Sequence, residues 1–263
     1  MAVLDIGLDP SVAVGYRSLS QKARVITEHW ASGNLYCTAC PCDRLEPFKA
    51  NTKVVDFRCP ECTARYQVKS KSRFIGNVIA NSAYGPKMDA IASGQAPNYI
   101  FLCYSPDSWM VTGLFAVPGH FLTPAIVHKR PPLKPTARRS GWVGSNILLG
   151  GLPPEARVAL VTDSHVLPRT EVRRAWDRFA FLALPESSKG GWGADTLMCL
   201  RRIARETGSD SFSLQEFYRR FEHELGLLHP ENRNVRAKIR QQLQILRDNE
   251  VIRFLGRGDY RVV

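Results

Sequence analysis

The sequence has none of the features of a membrane-spanning or secreted protein. It contains no apolar run close to the roughly 18 residues that a membrane-spanning helix needs. Its first residues, MAVLDIGLDP, lack the basic-then-apolar pattern of a secretory signal. Acidic residues are also scarce, since 24 Asp and Glu stand against 36 Lys and Arg, a net charge of +12. We therefore expect a cytoplasmic protein, and the excess positive charge suits a polyanion such as nucleic acid or an acidic membrane surface.

Cysteines are few and unevenly placed. Of the seven, four form two CxxC pairs, separated by the 18 residues from 41 to 58. This spacing is typical of a tetrahedral zinc site with no open coordination position, so we predict a structural zinc ion. The predicted ligands are Cys37, Cys40, Cys59 and Cys62. Cys42 could replace Cys40, whereas Cys103 and Cys199 lie in apolar runs and are expected to be ordinary buried residues.

Between and after the CxxC pairs, the sequence predicts a hairpin with a polar face. Residues 54–57 (VVDF) and 64–70 (ARYQVKS) resemble its two strands, and alternation places Gln67 and Lys69 on one face. If Asp56 faces them, an acid and an amide oxygen could bind a divalent cation, and the ammonium could orient water and offset phosphoryl charge. The alternative is the solvated polar face of an ordinary hairpin.

The surrounding pattern predicts a mixed α/β domain over residues 1–186 and a small helical domain over 187–263. Turn-forming residues at 185–191 mark the linker between them. The predicted elements of the first domain are a helix at 20–31 capped by Ser20, a helix at 77–93, and strands at 98–105, 110–117 and 157–163. Residues 128–142 contain no acid and are rich in proline, so they predict an exposed basic loop with Lys129, Arg130, Lys134, Arg138 and Arg139.

The last 72 residues, 192–263, predict a winged helix. Helices at 192–206, 213–225 and 233–249 precede a hairpin that turns at Arg257 and Gly258. Ser213 and Glu216 have the spacing of a capping box at the start of the second helix.

The third helix of this domain has one apolar face and one face suited to DNA. Val235, Ile239, Leu243 and Leu246 recur at helical spacing, so they are expected to pack inward. Arg and Gln side chains on the opposite face can pair with guanine and adenine edges in the major groove. The outward residues are Arg233, Asn234, Arg236, Lys238, Arg240, Gln241 and Gln244. A solvated charged face is the alternative interpretation.

Several segments, in the same order along the chain, resemble the DpnI-like family of N6-methyladenine-dependent (type IIM) restriction endonucleases. They are SQKARVITEHW, YCTAC, VVDFRCPECTARYQVKSK, PLKPTARRSGWVGSNI and IRQQLQILRDNEVIRFLGRGDYR. The resemblance implies a PD-(D/E)xK nuclease domain with a structural zinc, followed by a winged helix. It further implies a type II enzyme that uses magnesium and cleaves double-stranded DNA at N6-methyladenine sites, with G(m6A)TC as the expected site. We expect a monomer without a membrane partner.

The resemblance also assigns residues. Asp56 corresponds to the catalytic acid and Lys69 to the catalytic lysine, with Asp56 and Gln67 as the magnesium ligands, and the four paired cysteines correspond to the zinc ligands. Trp142 corresponds to the tryptophan that contacts the methyl group, beside Lys134, Arg138 and Arg139; Trp192 is a second candidate. For either tryptophan, a place in the core is the alternative.

The chain departs from the family pattern at Gln67, where the pattern has Glu. An amide oxygen can coordinate magnesium but brings no charge, so cation affinity or cleavage rate could be lower. Glu28 of the first helix could add a carboxylate, although a solvated helical Glu is the simpler interpretation. Two other functions stay open: a reader of adenine-methylated DNA that does not cleave, and a zinc-containing transcriptional regulator that ignores methylation.

Overall fold

The computed structural model describes residues 4–48, 55–184 and 191–263. Its α-helices are α1 (Leu19–Asn34), α2 (Tyr84–Ala92), α3 (Arg169–Asp177), α4 (Trp192–Thr207), α5 (Leu214–Leu228) and α6 (Val235–Asp248). Short 3-10 helices lie at Pro10–Ala13, Gly119–Phe121, Pro124–Ile126, Leu149–Gly151, Pro154–Ala156 and Ala180–Ala183. None of the helices in these ranges is long and apolar enough to cross a membrane. The predicted linker at 185–191 and Val54 of the predicted first strand fall outside the described residues, Gly191 excepted.

The described residues of the first part of the chain form two sheets. The larger contains β1 (Glu46–Pro47), β2 (Phe57–Arg58), β3 (Arg65–Ser72), β5 (Asn98–Ser105), β6 (Met110–Val117), β9 (Val158–Thr162) and β10 (His165–Val166), in that spatial order. The smaller contains β4 (Val78–Ala83), β8 (Gly144–Leu148) and β7 (Val127–Lys129). Only β3 and β5 run parallel in the larger sheet; the other described neighbours are antiparallel. The predicted mixture of helices and strands is therefore confirmed.

The central strand β5 divides the core into two layers. Tyr99 and Phe101 pack on one face of the large sheet, together with α2, the small sheet and the helical part of the chain. Ile100 and Leu102 pack on the other face, with α1, α3 and the cysteine-bearing loops. Both faces of β5 are therefore covered, which explains why its sequence is almost continuously apolar.

The predicted helix at 77–93 is half wrong. Residues 78–83 form β4, which pairs with β8, with Ile79 opposite Ile147. Only Tyr84–Ala92 is helical. Alternating burial along β4, with Ile79 and Asn81 inward, is the strand period, and the pairing that stabilises it comes from a distant part of the chain. Helix α1 also begins earlier than predicted, with Ser18 rather than Ser20 at its N-cap position.

The helical part of the chain has the predicted three helices and terminal hairpin. β12 (Ile252–Gly256) and β13 (Asp259–Val262) turn at Arg257 and Gly258, both with positive φ as a type I′ hairpin turn requires. A short strand that the sequence did not reveal, β11 (Ser211–Ser213), pairs with β13. The Ser213 hydroxyl caps α5 by accepting from the Glu216 amide, but the Glu216 carboxylate accepts from Arg220, so the described contacts give half of the predicted capping box.

Candidate functional site

The four paired cysteines converge on one point. Their sulfur atoms all lie within 4.8 Å of one another, although the two pairs come from different loops. The Cys37 and Cys62 sulfurs are 3.6 Å apart, and those of Cys40 and Cys59 are 3.5 Å apart. Neighbouring sulfurs of a regular tetrahedron with zinc–sulfur bonds of about 2.3 Å lie about 3.8 Å apart. The cluster thus has the donors and size of a four-thiolate zinc site. As predicted, Cys103 and Cys199 are buried elsewhere.

A tyrosine ties this cluster to the candidate catalytic strand. The hydroxyl of Tyr66, on β3, lies 3.2 Å from the Cys37 sulfur and accepts a hydrogen bond from the Thr38 amide. A metal-bound thiolate can only accept, so Tyr66 would donate to it. Because Gln67 follows Tyr66 on the opposite face of β3, a metal held by the cysteines would fix the strand that carries Gln67 and Lys69.

Asp56 directly precedes β2 and is bound to β3. Among the described residues of the predicted strand 54–57, only Phe57 lies in a strand, so that prediction is largely wrong. Its backbone amide donates to the Tyr66 carbonyl, and its Oδ2 accepts from the Val68 amide at 2.8 Å. Phe57 pairs with Tyr66 in the antiparallel register of β2 and β3. The Asp56 side chain is exposed. The carboxylate is therefore fixed to the backbone between Gln67 and Lys69, and its Oδ1 has no hydrogen-bond partner among the described residues.

Gln67 and Lys69 lie on the sheet face that α2 covers. In the parallel register, Gln67 is opposite Tyr99 and Lys69 is opposite Phe101. Gln67 is only 5% exposed, so it does not lie on a solvated hairpin face, which was the alternative interpretation. Burial lowers the pKa of Lys69, and the negative charge of Asp56 acts in the opposite direction. The hairpin thus brings an anchored carboxylate, a buried amide and a half-buried amine to one region.

A second lysine, which sequence reasoning missed, reaches the same place from α2. Lys87 is completely buried, and its Nζ donates to Gln67 Oε1 at 3.3 Å and to the Tyr99 hydroxyl at 2.5 Å. Burial, together with the charge of Lys69, lowers the pKa of Lys87 to about 7, while Asp56 opposes this shift. Lys87 and Ile91 are the buried residues of α2. Their i, i+4 spacing places them on one helix face and was the sequence signal that could have predicted the burial of Lys87.

Most of the predicted basic loop lies between β7 and β8, but His128 and Lys129 belong to β7 and Arg130 is half-buried. Lys134, Arg138 and Arg139 are exposed, while Trp142 is partly buried. The Arg139 guanidinium stands over the Trp142 ring, 4.6 Å from its centroid. A Cβ at position 144 would lie 2.7 Å from the ring, so glycine is what lets the indole lie against the backbone there. Trp142 is thus held at the base of a cationic loop.

Helix α2 contacts both this loop and the candidate catalytic strand β3. Its first residue, Tyr84, donates its amide to the Val143 carbonyl at 3.0 Å, directly after Trp142. One turn further, the same helix places Lys87 against Gln67. A short helix of nine residues therefore contacts both the candidate methyl-reading segment and the candidate cleavage centre.

The outward face of α6 is exposed, but its side chains are not equivalent. Asn234, Arg236, Arg240, Gln241 and Gln244 are exposed, whereas Lys238 is half-buried and donates to Gln241 at 2.8 Å. Arg236 forms an ion pair with Glu222 of α5 at 2.9 Å and lies over the Tyr218 ring. The inward residues Ile239, Leu243 and Leu246 are fully buried, as predicted.

The remaining candidates have ordinary structural places. Trp192 is a core residue, 4% exposed, whose ring stacks on His229 at 4.1 Å, so it offers no surface to a methyl group. Glu28 is exposed and pairs with Arg24 on its own helix, as expected of a solvated helical Glu.

Comparison with known protein families gives two matches along the chain. The DpnI family model, described as the Dam-replacing family, matches residues 4–184. The DpnI_C model, described as the Dam-replacing HTH domain, matches residues 187–262.

Proposed function

Because the chain belongs to the DpnI, or Dam-replacing, family and carries that family's HTH domain, we propose that it cleaves double-stranded DNA at N6-methyladenine in G(m6A)TC. It acts as a type II, magnesium-dependent enzyme of the PD-(D/E)xK class. Its domains extend over 1–186 and 187–263, and the second is a winged helix. The observation that carries the proposal is the fixed position of Asp56 on the strand of Gln67 and Lys69.

The donor set fits a magnesium ion. Mg²⁺ prefers oxygen ligands and is commonly held by one or two carboxylates, with water and substrate phosphate completing its coordination. Asp56 supplies an exposed carboxylate, and Gln67 supplies an amide oxygen beside it. When bound, the ion polarises the phosphoryl oxygen and lowers the pKa of coordinated water.

The chain's own residues perform the remaining tasks. The Val68 amide holds Asp56 Oδ2, so the carboxylate orientation does not depend on the substrate. Lys69, half-buried beside Asp56, directs its amine at the attacking water and offsets charge that develops on the scissile phosphate. The cysteine cluster, with zinc as its metal, holds the strand in register through Tyr66.

Methylation is read from the major groove, where the N6 amino group of adenine lies. Trp142 supplies the apolar surface that an added methyl group requires, and Lys134, Arg138 and Arg139 hold the neighbouring phosphates. The outward face of α6, with Asn234, Arg236, Lys238, Arg240, Gln241 and Gln244, reads base edges as the recognition helix of the second domain.

Digestion of matched plasmids tests the proposal. Fully methylated, hemimethylated and unmethylated DNA would be incubated with Mg²⁺ or Mn²⁺, and product ends mapped by sequencing. We expect cleavage at adenine-methylated GATC sites, retained by Gln67→Glu and lost in Lys69→Ala. If the parent cuts none of the three substrates with either metal, the proposal is wrong.

A reader that binds methylated DNA without cleaving it is the second candidate. The neutral Gln67 favours this function, because it leaves Asp56 as the only one of the three residues with a negative charge. Methylation-dependent binding without cleavage would support it. Binding that ignores methylation would instead indicate a zinc-containing regulator.

A further inference from the structure

The buried surroundings of Lys87 are unusual for a lysine. Its ammonium is fully excluded from solvent, and within the described ranges no carboxylate lies within ion-pair distance of it. Its partners are neutral: the Gln67 amide oxygen, the Tyr99 hydroxyl, and the Tyr99 ring face at 4.8 Å. Burying such a cation is costly unless the surrounding polar groups are fixed to receive it. The Tyr99 hydroxyl is itself held, since Asn81 donates to it at 2.7 Å.

Lys87 determines how the Gln67 side chain can be oriented. An ammonium has donors only, so the end of the amide that faces it must be the oxygen. Rotating the amide by half a turn would place its NH₂ group against Nζ and leave two buried donors facing each other. The position of the Gln67 oxygen is thus set by Lys87 as well as by the strand.

Lys87 also changes what an acid at position 67 would do. A carboxylate there would lie at about the 3.3 Å that now separates Nζ from Oε1 and would form a buried ion pair with Lys87. Its negative charge would then be largely compensated before any divalent cation arrived. With glutamine, the oxygen is retained without that pairing.

We propose that Lys87 is a positioning residue of the cleavage centre, which fixes the side-chain oxygen of Gln67 and makes a neutral residue suitable at position 67. This inference rests on the proposed function, because it takes Asp56 and Gln67 as ligands of the catalytic cation. Groups that support metal ligands from behind typically alter metal affinity or activity about 10- to 100-fold when removed.

Binding of Mn²⁺ to the full-length, zinc-loaded chain tests the proposal without relying on cleavage. Free Mn²⁺ would be followed by electron paramagnetic resonance for the parent, Gln67→Glu, Lys87→Met and the double variant. We expect Gln67→Glu to change affinity less than threefold in the parent background and to raise it at least tenfold in the Lys87→Met background. As a control, Lys71→Met removes an exposed lysine from β3, the strand of Gln67. In this background, Gln67→Glu should change Mn²⁺ affinity as little as it does in the parent.

An equal effect of Gln67→Glu in the parent and Lys87→Met backgrounds overturns the proposal. So does the absence of measurable binding by the double variant. If thermal unfolding shows that Lys87→Met is not folded, Lys87→Gln is tested in its place under the same criteria. Coupling in Mn²⁺ affinity from a parent that cleaves no DNA would retain Lys87 as a positioning residue and reject only the proposed reaction.

Discussion

The carboxylate of Asp56 accepts a hydrogen bond from the backbone amide of Val68, with 2.8 Å between Oδ2 and N. Val68 lies between Gln67 and Lys69, so this contact sets the spacing of the three candidate catalytic groups through the backbone. Tyr66, on the same strand, contacts the cysteine cluster. The arrangement explains why a structural metal would matter to a reaction in which it takes no direct part.

Loss of the cysteine-bound metal should abolish cleavage by loosening β3. Cys62→Ser removes an exposed ligand and should reduce zinc content from about one ion per chain to near zero, with a large fall in thermal stability. Zinc would be measured by atomic absorption and unfolding by calorimetry. Cys103→Ala, outside the cluster, serves as control and should keep its zinc. Full zinc content in Cys62→Ser would contradict the assignment.

Arginines on α6 should differ in their importance for DNA binding. Arg240 is exposed, whereas Arg236 is already paired with Glu222. We expect Arg240→Ala to weaken binding of methylated duplex by about 1–3 kcal/mol, roughly 5- to 150-fold, if it contacts a base. Arg236→Ala should cost less, because its ion pair must break before it binds. Affinities would be compared at one salt concentration. The reverse order would show that Arg236 exchanges Glu222 for DNA.

Trp142 should carry the preference for methylated adenine. Trp142→Ala removes the apolar surface beside the basic loop. The ratio of the cleavage rate at methylated GATC to that at unmethylated GATC should therefore fall about tenfold. Trp109→Ala, in the turn before β6, removes an indole that stacks on Tyr104 and should leave the ratio unchanged. An unaltered ratio in Trp142→Ala would place methyl reading elsewhere.

His120 should make the protein sensitive to acid. Burial lowers the pKa of His120 to about 4, from an ordinary value of 6.5. Among the described residues, its Nε2 has no hydrogen-bond partner. Between pH 6.5 and 4, His120 binds a proton in the unfolded chain but not in the native chain. The free energy of unfolding therefore falls as pH is lowered. Urea unfolding should show a shallower pH dependence for His120→Gln. The exposed His165→Gln should retain the parent slope, and equal slopes for both variants would reject this role.

Local patterns were sufficient for much of the fold. The apolar runs at 98–105 and 110–117 became β5 and β6 with the same bounds, because each is a buried strand bounded by turn residues. The inward spacing of Ile239, Leu243 and Leu246 predicted the packing of α6 for a similar reason. For these strands and for α6, the burial pattern can be read from the residues of the element itself.

Long-range contacts account for what the sequence did not reveal. β4 is a strand because β8 pairs with it, and residues 77–93 alone do not reveal that pairing. Lys87 was missed because a lysine in a helical stretch ordinarily faces water, and its burial depends on α2 crossing over β3 and β5. The CxxC spacing, by contrast, predicted which four cysteines converge, since four thiolates around one metal leave little geometric freedom.

The catalytic role of Asp56 is tested by comparing Asp56→Asn with Asp89→Asn, which alters an exposed acid on α2. Cleavage of fully methylated plasmid with Mg²⁺ and binding of a methylated duplex would be measured for both. We predict that Asp56→Asn loses at least about 100-fold in cleavage rate, a change of about 2.7 kcal/mol in the barrier, while binding the duplex as the parent does. Asp89→Asn should cleave normally. Cleavage by Asp56→Asn at the parental rate would show that Asp56 is not the catalytic acid.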